Sequence, residues 1–82
     1  MEDFFCEDIN LNVCRINKQY KIVVIEQGLD IKHRQRMLEL GFVKGVKIKV
    51  VKKSLLKKTL LVEIHSYTLS IRSEIAEFVK VE

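Results

Sequence analysis

Residues 30–50 constrain this chain more than any other stretch. They read Asp-Ile-Lys-His-Arg-Gln-Arg-Met-Leu-Glu-Leu-Gly-Phe-Val-Lys-Gly-Val-Lys-Ile-Lys-Val. The pattern predicts a helix, a glycine stop, a second glycine turn and an amphipathic strand. Asp30 can accept hydrogen bonds from the free amides of a first helical turn. Gly41 can take the left-handed conformation that ends a helix. Val46, Ile48 and Val50 alternate with Lys47 and Lys49, so one strand face is oily and the other cationic. On a helical wheel Ile31, Met37, Leu38 and Leu40 share one broad side, with Met37 and Leu40 expected to pack inward. Lys32, Gln35, Arg36 and Glu39 take the other side. His33 and Arg34 fall within the apolar side. An arginine there can lay its stem on apolar surface and keep its head wet, or meet a partner.

The remainder reads as short strands. Residues 20–26 form a first strand, and the run Ile22-Val23-Val24-Ile25 predicts burial on both faces at its centre. Residues 46–53 and 59–66 make the next two, joined by Ser54-Leu55-Leu56-Lys57-Lys58, and 67–71 a further one. Ser70 or Ser73 can cap a helical turn over 74–77, and 78–81 closes the chain as a last strand. Residues 1–12 read as an N-terminal arm, pinned by Phe4 and Phe5, and residues 13–82 as the domain. Val13 and Ile16 are spaced to anchor a short turn before Lys18. Strands of this number on so short a chain predict a mainly β fold, a small barrel of five to six strands with one main α-helix and a short helical turn. Closing the sheet removes exposed edges.

A chain of 82 residues is one domain, and one of this size has a modest core. No apolar run approaches the roughly 20 residues needed to cross a bilayer. The start, Met1-Glu2-Asp3-Phe4-Phe5-Cys6-Glu7-Asp8, is acidic where a secretory signal would be basic. A cytoplasmic location is therefore expected, with Cys6 and Cys14 as reduced thiols. The net charge of +4 is uneven: acidic over 1–8, basic over 32–36, 44–53 and 57–58. Such a surface suits an acidic protein, an anionic membrane face or a nucleic acid. It also suits plain solvation of a small domain.

Two segments carry a family resemblance. Arg36-Met37-Leu38-Glu39-Leu40-Gly41-Phe42, followed by Gly45, is similar to the Arg-Leu-x-x-Leu-Gly-Phe/Leu-x-Pro-Gly signature of the ferrous iron transport protein A (FeoA) family. Val62-Glu63-Ile64-His65-Ser66-Tyr67-Thr68-Leu69-Ser70-Ile71-Arg72 resembles that family's Val-x-x-x-Gly-Tyr-x-Leu-x-Leu-Arg segment. Ala76 and the ending Phe78-Val79-Lys80-Val81 also fit. Lys44 stands where the family has proline, Ser66 where it has glycine, and residues 54–59 lack its Gly/Pro turn. The resemblance implies an SH3-like barrel with helical insertions. It further implies a small cytosolic accessory of bacterial ferrous iron uptake, bound to the membrane transporter through that transporter's cytoplasmic GTP-binding domain. Such a protein would be peripheral to the membrane through its partner and would modulate transport or nucleotide turnover without carrying iron. Similar domains end iron-dependent transcription repressors, but 82 residues leave no room for a DNA-reading domain as well.

Specific chemistry is thin. There is no paired-carboxylate motif, phosphate-cradling loop or zinc-protease helix, so no enzymatic activity and no cofactor are expected. The family brings an association with transition metal ion binding, and the candidate ligands are Cys6, Cys14, His33 and His65. Structural zinc sites supply ligands as close pairs. These are widely spaced, so no metal site is expected. Cys14 reads instead as a small half-buried hydrophobe, and His65 as a polar residue on a strand's outer face. Small barrels bind single-stranded nucleic acid through clustered aromatics beside a cationic groove, and no such cluster is present. No nucleic-acid partner is expected. Leu55 and Leu56, flanked by Lys53, Lys57 and Lys58 at a loop tip, are the oddest feature. They either fold over the barrel end or dock on a partner. These five residues and Arg34 are the candidate partner-binding set. The alternative to an iron-uptake accessory is an SH3-like interaction adaptor or a weak nucleic-acid-binding barrel. Open edge strands also leave room for a homodimer.

Overall fold

A computed structural model describes residues 9–82. Phe4, Phe5 and Cys6, and with them the expected pinning of an arm, lie outside the described residues. Six antiparallel strands form one sheet: β1 (Ile9–Asn10), β2 (Gln19–Ile25), β3 (Lys47–Ser54), β4 (Thr59–Ile64), β5 (Tyr67–Arg72) and β6 (Val79–Val81). Their order in the sheet is β1-β6-β2-β3-β4-β5. A 3-10 turn, Leu11–Val13, follows β1. Helix α1 (Ile31–Glu39) sits between β2 and β3, and the short helix α2 (Ser73–Ala76) between β5 and β6. Among the described residues no helix is long and apolar enough to cross a membrane.

Residues 9–12 are not the end of an arm. Ile9 and Asn10 pair with Val81 and Lys80, and Leu11 is fully buried. Two strand residues are too few to show a period, so pairing with a distant strand makes this element. At the opposite edge, no ladder joins β5 to β1 among the described residues. A side chain crosses that seam instead: Asn12 Nδ2 donates to the Ser73 carbonyl at 2.8 Å.

The hydrophobic alternation of β3 and β4 builds the core directly. Ile48 stands opposite Ile64 and Val50 opposite Val62, and all four are buried with Leu11, Ile22, Phe42, Val79 and Val81. Two irregularities modify the pattern. In β2 the register shifts between Ile22 and Val24. The extra residue lets Ile22 and Ile25, three apart, both face the core while Val24 is exposed. The expected burial of the Ile22–Ile25 run on both faces is thus replaced by a bulge. In β3 a second shift lies between Val50 and Lys52. It puts Lys53 opposite the buried Leu60, on the inner side of the sheet.

Helix α1 follows its local signals. Asp30 Oδ2 accepts the Lys32 amide at 3.1 Å. At the other end Gly41 has φ +97°. Its N–H bonds the Leu38 carbonyl, and the Phe42 N–H bonds the Met37 carbonyl, both at 3.0 Å. This paired pattern is a Schellman ending, and it drives Phe42 into the core. Met37 and Leu40 pack inward as expected, but the inner stripe is narrower than the apolar side of the wheel. Met37 is 3% exposed, whereas Ile31 is 71% and Leu38 47% exposed. Residues 34, 37 and 40 form the inward line at i, i+3 spacing, with Leu40 only partly buried. A helix this short touches the barrel along one narrow stripe, so the rest of its apolar side stays in solvent. Helix α2 starts after Arg72 with no side-chain cap, so neither Ser70 nor Ser73 serves as expected.

Candidate docking surface

The hairpin joining β3 to β4 ends in the pair Ser54↔Thr59. The four residues beyond it form the tip. Ser54 Oγ accepts the Lys57 amide at 3.3 Å, and Lys58 takes a left-handed φ of +53°. The Lys58 carbonyl accepts the Ser73 amide at 2.8 Å, which fastens the base of the loop to the start of α2. Above that base, Leu55 is 90% and Leu56 98% exposed. They do not fold over the barrel end. Two adjacent leucines thus stand in water on a turn whose base is fastened. Lys57 and Lys58 are exposed beside them.

The structure separates the other candidates from this tip. The bulge in β3 turns Lys53 inward, and its ammonium donates to the Asn12 carbonyl at 2.8 Å. It ties the hairpin to the 3-10 turn, so of the candidate lysines only Lys57 and Lys58 stand free at the tip. Arg34 is likewise occupied. Its guanidinium donates to the Ile25 carbonyl at 3.0 Å and to the Glu26 carbonyl, clamping α1 to the end of β2. Its head is therefore bonded to protein rather than lying wet at the margin of the helix face. Sequence spacing could not show this, because Arg34 reads as an exposed cation until the end of β2 is placed beside it.

Among the described candidate ligands, Cys14, His33 and His65 do not gather into one site. Among the described residues no group of three or more His, Cys, Asp or Glu side chains could hold an ion. Cys14 is buried, and its Sγ lies 3.6 Å from the Asn10 carbonyl. Burial pushes its thiol up to about 11, against a smaller opposite pull from Lys53 and Lys18. A metal would need the thiolate, so this residue behaves as a buried apolar group. His33 lies 3.6 Å from Asp30 on the first turn of α1.

His65 is not on a strand face. With Ser66 it forms the two-residue turn between β4 and β5, with φ of +53° and +74°. Two positive φ values define the type I′ turn whose twist suits a tight hairpin. The His65 Nε2 sits 3.3 Å from the Gly41 carbonyl, and the Tyr67 hydroxyl donates to the Leu40 carbonyl at 2.6 Å. These bonds satisfy carbonyls that the end of α1 leaves open.

A model of the FeoA domain matches residues 9–82. The chain belongs to the FeoA domain family. That family is associated with ferrous iron transport, and its match begins at the first residue of β1, in accord with the sheet. Solved structures agree. A FeoA-like protein from Clostridium acetobutylicum is 26% identical, with a TM-score of 0.81 over 95% of this chain and 88% of that one. FeoA from Stenotrophomonas maltophilia, solved with zinc and described as a prokaryotic SH3 domain protein, is 24% identical, with a TM-score of 0.78 over 90% and 89%. A manganese-dependent transcriptional repressor shares the fold at 19% identity, with a TM-score of 0.83 over 92% of this chain and 40% of that one. The mainly β barrel seen here is therefore SH3-like, with one main helix and short helical turns. No curated protein matches this FeoA domain in sequence.

Proposed function

We propose that this FeoA domain is a small, non-catalytic, cytoplasmic accessory of bacterial ferrous iron uptake. It docks on the cytoplasmic GTP-binding domain of the membrane iron transporter and modulates transport or nucleotide turnover there. The observation that carries the reading is the β3–β4 tip. Leu55 and Leu56 are almost wholly exposed on a loop whose backbone is fastened at its base. An ordered apolar tip loses little conformational freedom on binding, which favours it as an anchor. Lys57 and Lys58 beside it steer the approach to an acidic surface.

Binding kinetics against the isolated GTP-binding domain, and against the full transporter in detergent, separate the two parts. Charge reversal at Lys57 and Lys58 should slow association and flatten its salt dependence. Changing Leu55 and Leu56 to serine should speed dissociation. Wild-type kinetics in both folded double mutants would remove the tip from the interface. Tight binding to single-stranded nucleic acid in place of the transporter would favour the small-barrel alternative.

A further inference from the structure

A second surface lies apart from the tip, along the free edge of β5. Among the described residues, strand β5 pairs with β4 alone. Its register is set at both ends, by the Ile64↔Tyr67 pair across the two-residue turn and by the bond from the Ser73 amide to the Lys58 carbonyl. Antiparallel ladders alternate bonded and non-bonded pairs. Leu69 and Ile71 therefore aim their backbone groups at β4, while Thr68, Ser70 and Arg72 aim theirs outward. Among the described residues no strand pairs with β5 on that side, so the outward groups of Thr68 and Ser70 and the Arg72 amide are open, while the Arg72 carbonyl, at the N-cap of α2, accepts the first helical bond.

Beside this edge runs a groove of about 320 Å³ between β5, α1 and α2. Its floor is apolar: Met37, Leu40, Leu69, Ile71 and Ile75. Leu40, Leu69 and Ile75 are only partly buried. Its rim carries the cations Arg36 and Arg72 beside His33, and no carboxylate is among the lining residues. Arg72 keeps a loose 3.4 Å contact with Glu74, both side chains being largely exposed. Arg36 has no ion pair among the described residues.

Free strand edges attract further strands, and here the surroundings choose which kind. A second copy of this chain would bring a second basic rim of Arg36 and Arg72 to the same edge, in a protein of net charge +4. An extended segment with apolar side chains at every second position and carboxylates between them meets no such repulsion. Its apolar residues would fall on the floor and its carboxylates across from Arg72. We propose that the groove between α1 and the free edge of β5 binds an extended acidic segment of a partner protein, added to the sheet as a further strand. Backbone bonds to Thr68, Ser70 and the Arg72 amide would supply register, and the Leu40–Leu69–Ile75 floor would select alternate apolar side chains.

The test uses the full chain, labelled with 15N, and a capped peptide of alternating glutamate and valine. Binding should be saturable. It should shift the amides of Thr68, Ser70 and Arg72 and slow their exchange with solvent, while Leu55 and Leu56 stay unmoved. Changing Arg36 and Arg72 together to glutamate should weaken it by about tenfold or more. Ser70→Pro removes an outward amide at an edge position where proline is tolerated, and should also abolish binding. On the unaltered protein, a peptide of the same composition with its glutamates and valines in separate blocks should bind far more weakly. Equal binding by the blocked peptide, or by an alternating lysine–valine peptide, would overturn the proposal. So would amides of β5 already protected in the free protein. Protection at all concentrations would mean occupancy by the chain's own acidic residues 1–8, and protection rising with concentration would mean a second copy.

Discussion

The two ends of β4 carry hairpins of opposite character. At its start, Leu55 and Leu56 stand in water on a four-residue tip. At its end, His65 and Ser66 make a two-residue turn; His65 and the adjacent Tyr67 bond the carbonyls of Gly41 and Leu40 at the end of α1. By residue type alone the leucines belong inside, whereas His65 is exposed as its type suggests yet bonded to the scaffold. The difference shows that a loop's role is decided by what reaches it. The Schellman ending of α1 presents Leu40 and Gly41 to the β4–β5 turn, and a polar turn is what their open carbonyls need. Nothing in the described chain reaches over the β3–β4 tip, so its apolar side chains stay available.

This contrast can be broken in several ways. The largest effect should come from the side chain that holds α1 to the barrel. Met37→Ala should cost roughly 2–5 kcal/mol by urea denaturation. A small loss would mean that the polar turn, not the helix's inner stripe, fastens α1.

Gly41→Ala should come next, at roughly 1–3 kcal/mol. The position has φ +97°, and an added Cβ would lie 2.5 Å from His65 Nε2. Adding His65→Ala to the same protein should recover the part due to the clash and leave the part due to backbone strain. If Gly41→Ala alone is harmless, the imidazole swings aside freely and the turn is no latch.

Tyr67→Phe removes only the hydroxyl that donates to Leu40, and should cost about 1 kcal/mol. Amide exchange over the last turn of α1 should quicken in step. Unchanged exchange there would leave the bond without structural consequence.

The smallest effect on stability belongs to the other hairpin. Leu55→Ser with Leu56→Ser should shift unfolding by no more than about 0.5 kcal/mol. A loss well beyond that would show the leucines packing against the barrel in solution, and would take the anchor out of the docking reading.

Several parts of this molecule were legible in the chain. Asp30 and Gly41 bracket α1 as their chemistry requires, and the lysine alternation of β3 marks its outer face. Other parts were hidden. The inward stripe of α1 runs through Arg34 and Met37, not Ile31 and Leu38, because the carbonyls at the end of β2 give Arg34 a partner. Ser66 replaces the family's glycine yet adopts φ +74°, so the turn survives without its usual residue. Ile9 and Asn10 show no strand pattern of their own and are strand because β6 lies beside them. Of the candidate docking residues, Leu55, Leu56, Lys57 and Lys58 stand together at the tip, while Lys53 and Arg34 are drawn into the scaffold.

What the sequence determined by itself is what depends on neighbours in the chain. A capping side chain, a glycine's positive φ and a period of two or 3.6 residues act within a turn or a strand, and their energies are set locally. Membership of the family follows from the same local motifs. Only the tertiary structure decided the rest. The bulge that turns Lys53 inward depends on the register of β3 against β4. The exposure of the two leucines depends on which elements fail to reach them. The open edge of β5 depends on where β1 stops. Each follows from contacts between residues far apart in the chain, and no local pattern encodes them.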